Sequence, residues 1–299
     1  MNLRQLEYFV AVVEQGSFTA AAERLFVSQP SLSQQIAALE RELGGPLLER
    51  LPRGVRLTAA GDELLGEARA TLRHAERARR AARMALALDA GRLEVAAATS
   101  VAAGILPVVL HTWLQQHAAI EVSLLEYPHR RGLDEAVRDG AGDIAVGSNP
   151  ANWQGSVKHL GWEEFVVVLP DGDPLLGEDA VHLADLAERP WVHFTHAHGL
   201  AEVLDFCCGT AGFTPRVAVR TSQVTAAPLF AAAGIGPTLV PSHIVPAALI
   251  GLARSANPRP TRAVCAFTRG DWTPLAESFL DSLGDFPWGP KPRRALELG

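Results

Sequence analysis

The chain has 299 residues, 48% of them hydrophobic and 20% charged, with a formal net charge of −6. That length suits two domains or three small ones, and that balance excludes a disordered or collagen-like chain. Three cysteines (Cys207, Cys208, Cys265) cannot make a disulfide framework, the apolar runs are too short for a bilayer, and Met1-Asn2-Leu3-Arg4 has no apolar signal segment, so the expectation is a cytoplasmic protein with no membrane partner.

Residues 1–90 hold twelve arginines, eleven acids and no lysine, a balance of +1, and the remainder carries −7. A near-neutral segment binds nucleic acid if its arginines gather on one face, so net charge alone decides nothing. Leu6, Phe9, Val10 and Val13 follow i, i+3, i+4, i+7, the apolar face of a first helix. Gly16 ends that helix and Ser17 caps a second, whose Ala21, Ala22 and Leu25 pack inward. Ser28 caps a third helix, and Pro30 is tolerated in its first turn. Leu32, Ile36 and Leu39 face the core, which leaves Pro30, Gln34, Ala37 and Arg41 outward with Ser31 and Ser33 at the flanks. Gln and Ser near a helix N-terminus suit base edges, and small Ala37 and Ser33 let the helix sit deep in a major groove. Leu47–Leu57 reads as two short strands around Pro52-Arg53-Gly54, a wing that offers Arg50, Arg53 and Arg56 to phosphates. The same spacing also fits a small helical bundle with solvated arginines.

Thr58 caps a long helix expected to reach about Leu88. Leu65, Ala68, Leu72, Ala75, Arg79, Ala82 and Leu86 alternate steps of three and four, a seam for a partner helix in a homodimer.

At this point the sequence resembles the LysR-type transcriptional regulators. The resemblance rests on Leu3-Arg4-Gln5-Leu6-Glu7-Tyr8-Phe9, Gly16-Ser17-Phe18-Thr19-Ala20-Ala21-Ala22 and Leu25-Phe26-Val27-Ser28-Gln29-Pro30-Ser31-Leu32-Ser33. It continues through Ile36, Leu39-Glu40, Leu43-Gly44, Leu47, Glu49-Arg50 and Leu57-Thr58-Ala59-Ala60-Gly61. It implies an α plus α/β chain: a winged helix-turn-helix over 1–58, a linker and dimerisation helix over 59–90, and a two-lobed α/β effector domain like periplasmic binding proteins over 91–299. The lobes are expected at about 91–161 with 266–299, and 162–265. It also implies double-stranded promoter DNA and a small-molecule effector as partners, with self-association into homodimers or homotetramers; the free amides of the helix expected after Thr99-Ser100 favour an anionic effector. The DNA-binding candidates are Gln29, Pro30, Ser31, Ser33, Gln34, Arg50, Arg53 and Arg56.

Beyond Gly91, strands are expected at 93–98, 120–126, 143–147, 165–169, 191–194, 217–220, 238–240 and 262–267. Helices are expected at 101–116, 133–139, 222–233 and 275–283, and the proline-bearing tail from Pro287 is expected to be loose. Ligands of open α/β sheets bind beyond the carboxyl ends of strands, which selects Thr99, Ser100, Pro128, Gly147, Ser148, Thr195, His196, Thr221 and Ser222 as effector contacts. Ordinary N-capping explains Thr99 and Ser100 equally well.

Other chemistries fit less well. His193, His196 and His198 fall on a strand and its loop, and Cys207 and Cys208 point about 100° apart on a helix, so no metal site is expected. Peroxide-sensing relatives carry one cysteine just after the histidine and another further on; here Gly199 takes the first place and Cys207 the second, so the attacking thiol is missing. No G-x-S-x-G, P-loop or dinucleotide pattern appears, and neither an enzyme nor a cofactor is expected. Two further readings remain: a regulator that binds DNA without an effector, and a small-molecule-binding module that does not act on DNA.

Overall fold

Asn2 starts the first helix by a reciprocal pair of bonds: its side chain accepts the Gln5 amide and the Gln5 side chain accepts the Asn2 amide, each at 3.0 Å. The computed structural model describes residues 1–51, 54–85, 91–292 and 295–298, which form two units, Met1–Asp89 and Ala90–Gly299. Arg53, Leu86 and the expected helix end near Leu88 lie outside the described residues, as does the side chain of Arg50.

In the first unit, α1 (Leu3–Gln15) ends at Gly16 in the left-handed region, and Ser17 caps α2 (Phe18–Arg24). Ser28 caps α3 (Gln29–Leu43). Leu32, Ile36 and Leu39 are buried against Leu6, Phe9, Val12 and Ala21, each large side chain contributing about 1.5–3 kcal/mol of burial. Strands β1 (Leu48–Leu51) and β2 (Gly54–Leu57) form the antiparallel hairpin, with Glu49 opposite Arg56. The Thr58 hydroxyl accepts the Gly61 amide at 3.0 Å, starting α4 (Ala59–Ala85). Gly61 has no alternative, since a Cβ would overlap the Leu47 carbonyl oxygen.

The seam on α4 divides. Ala68 is buried and Leu65 and Leu72 pack against the unit's own core beside α1, whereas Arg79 and Ala82 are exposed. The first half of the stripe is therefore spent inside its own unit, because α1 supplies the apolar face that the expectation assigned to a partner.

The second unit opens with β3 (Arg92–Ala98), α5 (Thr99–Gly104) and α6 (Leu106–Gln116). One helix was expected here; in a continuous helix the Pro107 ring would clash with the carbonyl four residues back, and the chain instead breaks at Ile105, which puts Pro107 in the first turn of α6. Then come β4 (Glu121–Tyr127), α7 (Arg130–Arg138), β5 (Ile144–Ser148) and the long β6 (Val157–Val168). Beyond it lie β7 (Ala180–Val181), β8 (Pro190–Phe194), α8 (Gly199–Thr210), β9 (Arg216–Thr221) and α9 (Ala226–Ala232). The last elements are β10 (Thr238–Pro241), β11 (Ala253–Ala256), β12 (Arg259–Phe267), α10 (Pro274–Gly284) and β13 (Ala295–Glu297).

Sheet order is β4-β3-β5-β12-β6-β11-β7, with β10 also on β6 and β13 on β12; β8 and β9 pair apart. Three cores result. One gathers Leu93, Val95, Val109, Trp113, Val264 and Phe279, a second Phe165, Trp191, Phe194, Leu204 and Leu239, and a small third Ala96, Leu133, Val137, Ala145 and Phe267. Strand β6 runs from the first core, on which Leu160 packs, to the second, which holds Phe165–Val168, so the change between these cores falls inside a strand. The tail is not loose: β13 pairs with β12, the Trp288 indole donates to the Leu283 carbonyl at 2.7 Å, and Leu298 is buried. Gly104 lies against the 3₁₀ turn Ser242–Ile244, where a Cβ would overlap His243 Nδ1.

Candidate functional site

Two surfaces carry chemistry, one in each unit. On α3, Pro30, Ser31, Gln34 and Ala37 are exposed, Gln29 and Ser33 are half-buried, and the Ser28 hydroxyl accepts the Ser31 amide at 3.4 Å. Burying one face of an amphipathic helix leaves the opposite strip polar and narrow. Asn2, Leu3, Arg4, Tyr8, Ser31 and Gln35 line a shallow concavity beside this strip, with Arg4 Nε donating to the Tyr8 hydroxyl at 2.8 Å. Arg4 and Gln35 escaped the sequence reading, because only tertiary packing brings the start of α1 beside α3. In the hairpin, the exposed Arg56 donates to Glu49 through Nε at 3.0 Å. The backbone of Arg50 lies on β1 opposite Val55.

The second unit holds a cavity of about 530 Å³. Four of the expected residues, Thr99, Ser100, Pro128 and Ser148, line it. Thr99 and Ser100 form the first turn of α5, with Ala98 as N-cap and no side-chain cap bond, so capping does not account for their hydroxyls. Gly147 lies in β5, where a Cβ would press on the Leu133 side chain; it makes room for α7. Thr195, His196, Thr221 and Ser222 do not line the cavity. The Thr195 amide donates to the Thr221 carbonyl at 3.0 Å, which closes the end of the β8–β9 pair, and His196 is exposed beyond it.

His198 takes the place expected for His196. It caps α8, and its Nδ1 accepts the Leu200 amide at 3.2 Å. A ring nitrogen that accepts an N–H bears no proton, so in the neutral ring the hydrogen is on Nε2. Burial, with the nearby His129 and Arg262 charges, pushes the His198 pKa down and keeps the ring neutral. Its Nε2 is buried with no hydrogen-bond partner.

Arg262, from the middle of β12, also lines the cavity. Its Nε donates to Glu163 Oε1 at 2.6 Å, and its guanidinium lies over the Phe165 ring. Burial alone would raise the Glu163 carboxyl, but Arg262 and His243 outweigh it and hold the pKa at about 2. Arg130, Arg131 and Arg262 face Glu135 and Glu202 around the cavity, and Arg131 Nε pairs with Glu135 at 2.7 Å. Three lining cations stand against two lining carboxylates, but Arg131 and Arg262 are engaged by Glu135 and Glu163, so net charge does not by itself select the occupant.

His193 turns away from the cavity, its Nε2 lying 3.0 Å from Asp205. Cys207 and Cys208 are buried, and burial pushes both thiols up to about 12. Neither is a ready thiolate nucleophile. Among the described residues, no helix is long and apolar enough to cross a membrane.

Comparison with known proteins joins these two surfaces. Residues 3–62 match the model of the bacterial regulatory helix-turn-helix protein, lysR family, and residues 87–287 that of the LysR substrate binding domain. The chain is 34% identical over 291 residues to the HTH-type transcriptional regulator ClcR of Pseudomonas putida, covering 95% of this chain and 98% of that one. It is also 34% identical over 265 residues to a probable hydrogen peroxide-inducible genes activator of Mycobacterium avium, covering 87% and 85%. Among solved structures, CbnR, a LysR family transcriptional regulator, aligns with a TM-score of 0.69 at 27% identity, covering 95% and 98% of the two chains. Full-length CbnR complexed with its target DNA aligns with a TM-score of 0.68 at 27% identity, covering 95% and 99%.

Proposed function

Since the chain belongs to the LysR family of DNA-binding transcriptional regulators, we propose that it is a promoter-bound oligomer whose grip on DNA is set by a small anion in the cavity of its C-terminal unit. The outward strip of α3 carries this reading. Gln34 and Ser31 are exposed while Leu32, Ile36 and Leu39 on the opposite face are buried, so the helix enters a major groove without unpacking its core. Gln29, Pro30, Ser31, Ser33 and Gln34 read bases; Arg50 and Arg56 in the hairpin, with Arg4 and the Arg53 that the sequence places between Arg50 and Arg56, hold phosphates. The half of α4 beyond Leu72 is the part left for a partner chain in the dimer.

In the cavity, the Thr99, Ser100 and Ser148 hydroxyls and the His198 Nε2–H are donors suited to a carboxylate, and Arg262 supplies positive charge. Gly147, Thr195, His196, Thr221 and Ser222, which do not line the cavity, are not assigned a contact with the effector. The effector shifts the equilibrium between lobe arrangements by no more than its differential affinity for them.

Fluorescence anisotropy with the chain's own upstream DNA, against a scrambled duplex at moderate salt, tests the first half. Preference for the former is expected; equal affinity for both overturns the reading. For the second half, a carboxylate should raise the melting temperature of the wild-type protein and not of a Ser100→Ala/Ser148→Ala double variant. An equal rise in both removes these hydroxyls from the site.

A further inference from the structure

Phe26 stands in the turn between α2 and α3, and two features set it apart. Its φ is +55°, in the left-handed region that bulky side chains rarely enter. It is also 96% exposed, so no part of the chain packs on its ring. The turn closes by a pair of backbone bonds: the Val27 amide donates to the Ala22 carbonyl at 3.0 Å and the Phe26 amide to the Glu23 carbonyl at 3.2 Å. That pairing requires a left-handed residue at position 26, a place that glycine takes with least strain. The neighbouring helices follow the rule, α1 ending at Gly16 and α3 at Gly44, both left-handed. At Phe26 the chain instead holds a strained backbone and an apolar ring in water, and nothing within the unit offsets either. Strain that the fold itself does not offset is characteristic of residues that function in a contact.

The position of Phe26 selects the partner. Leu25 and Val27, on either side, pack against the core of the unit, and Phe26 projects away from it. Ser28, two residues on, is the N-cap of α3, which puts the Phe26 Cα within about 8 Å of that end of the helix. The same end carries Gln29, Pro30 and Ser31, and a recognition helix turns its N-terminal residues toward base edges. Phe26 thus continues the outward strip beyond the first turn of α3. In a major groove the apolar group on offer is the 5-methyl of thymine, which the other three bases lack and a phenyl ring can cover.

We propose that Phe26 is a further specificity-determining residue for DNA, its ring packing on a thymine 5-methyl in the major groove beside the bases read by α3. The proposal rests on the docking of α3 given above. An apolar contact displaces no counterion, so it adds nothing to the salt dependence that the arginines set. One side chain therefore weakens folding and strengthens binding.

The test is fluorescence anisotropy on the full-length protein with the chain's own upstream DNA, beside thermal melts. Asparagine and glycine both accept the left-handed region. Phe26→Asn, with Phe26→Gly as a second variant, should weaken binding about tenfold, as expected for partial burial of a phenyl ring. The slope of affinity against salt should not change, and the melting temperature of Phe26→Asn should stay the same or rise. Replacing thymine by deoxyuridine throughout the duplex should weaken wild type more than either variant. Undiminished binding by the variants, equal loss on the deoxyuridine duplex, a reduced salt slope or a lower melting temperature of Phe26→Asn each overturns the proposal. Lost transcription in vitro with DNA binding intact does so too, by assigning the ring to a protein partner. A wild-type chain without preference for its own DNA removes the docking of α3 and this contact with it, whereas failure of the Phe26 contact alone leaves that preference in place.

Discussion

Arg56 in the N-terminal unit and Arg262 in the C-terminal unit both stand on a strand, and both pair with a glutamate on the neighbouring strand. Their surroundings differ. The Arg56 side chain is 66% exposed and its partner Glu49 46%, while Arg262 is 13% exposed and Glu163 only 2%. An exposed pair gains little from association and gives its arginine to a phosphate at small cost. A buried pair cannot be separated without stranding a charge in a poorly solvated site. The N-terminal unit thus keeps its charges in reserve for a polyanion, and the C-terminal unit uses one to hold its cavity wall in shape.

The largest test of this contrast is Glu163→Gln, which leaves Arg262 without its counter-charge. Urea unfolding should show a loss of about 3–5 kcal/mol in the C-terminal unit, whereas Glu49→Gln should change stability by no more than about 1 kcal/mol. Equal effects would erase the distinction.

Acid offers a second test. With a folded pKa of about 2 against an ordinary 4.5, Glu163 contributes stability that is fully present above about pH 4.5 and is lost as pH falls toward 2, up to about 3 kcal/mol. Thermal melts of wild type should decline through that window and those of Glu163→Gln should decline less; parallel curves would assign the acid sensitivity elsewhere.

On the DNA side, Gln34→Ala should cost about 1–3 kcal/mol at the operator and relax preference at a single base position. A uniform loss on all sequences would make Gln34 a backbone contact. The smallest effect is expected for Arg56→Ala: binding weakened alike on every sequence, the salt slope reduced by about one, and little change in folding stability. An unchanged slope would show that Arg56 stays with Glu49 in the complex.

The legibility of each unit follows from how far apart its partners lie in the chain. Leu32, Ile36 and Leu39 declare the buried face of α3 within two turns, and that fixes Gln34 as outward without knowledge of anything else. The α4 stripe was legible as apolar but not as to its partner, because only the packed unit shows α1 covering Leu65, Ala68 and Leu72. In the C-terminal unit the strand-end rule selects Thr99, Ser100, Pro128 and Ser148, which line the cavity directly after or at the end of a parallel strand. After β8 it selects Thr195 and His196, which do not line it, because the loop runs on past His196 before His198 caps α8. Arg262 was beyond the rule altogether: it sits mid-strand, and its partner Glu163 is 99 residues away. The tail was misjudged because prolines forbid a helix but do not forbid a short parallel edge strand beside β12.

Gly104 is a tight joint of the C-terminal unit. Its missing side chain lets the last turn of α5 rest on the His243 ring, and the first turn of the same short helix carries Thr99 and Ser100. Exchanging a single hydrogen for a methyl at Gly104 would push helix and ring apart, and because the helix is only six residues long, that displacement would be felt at the two hydroxyls on the cavity wall.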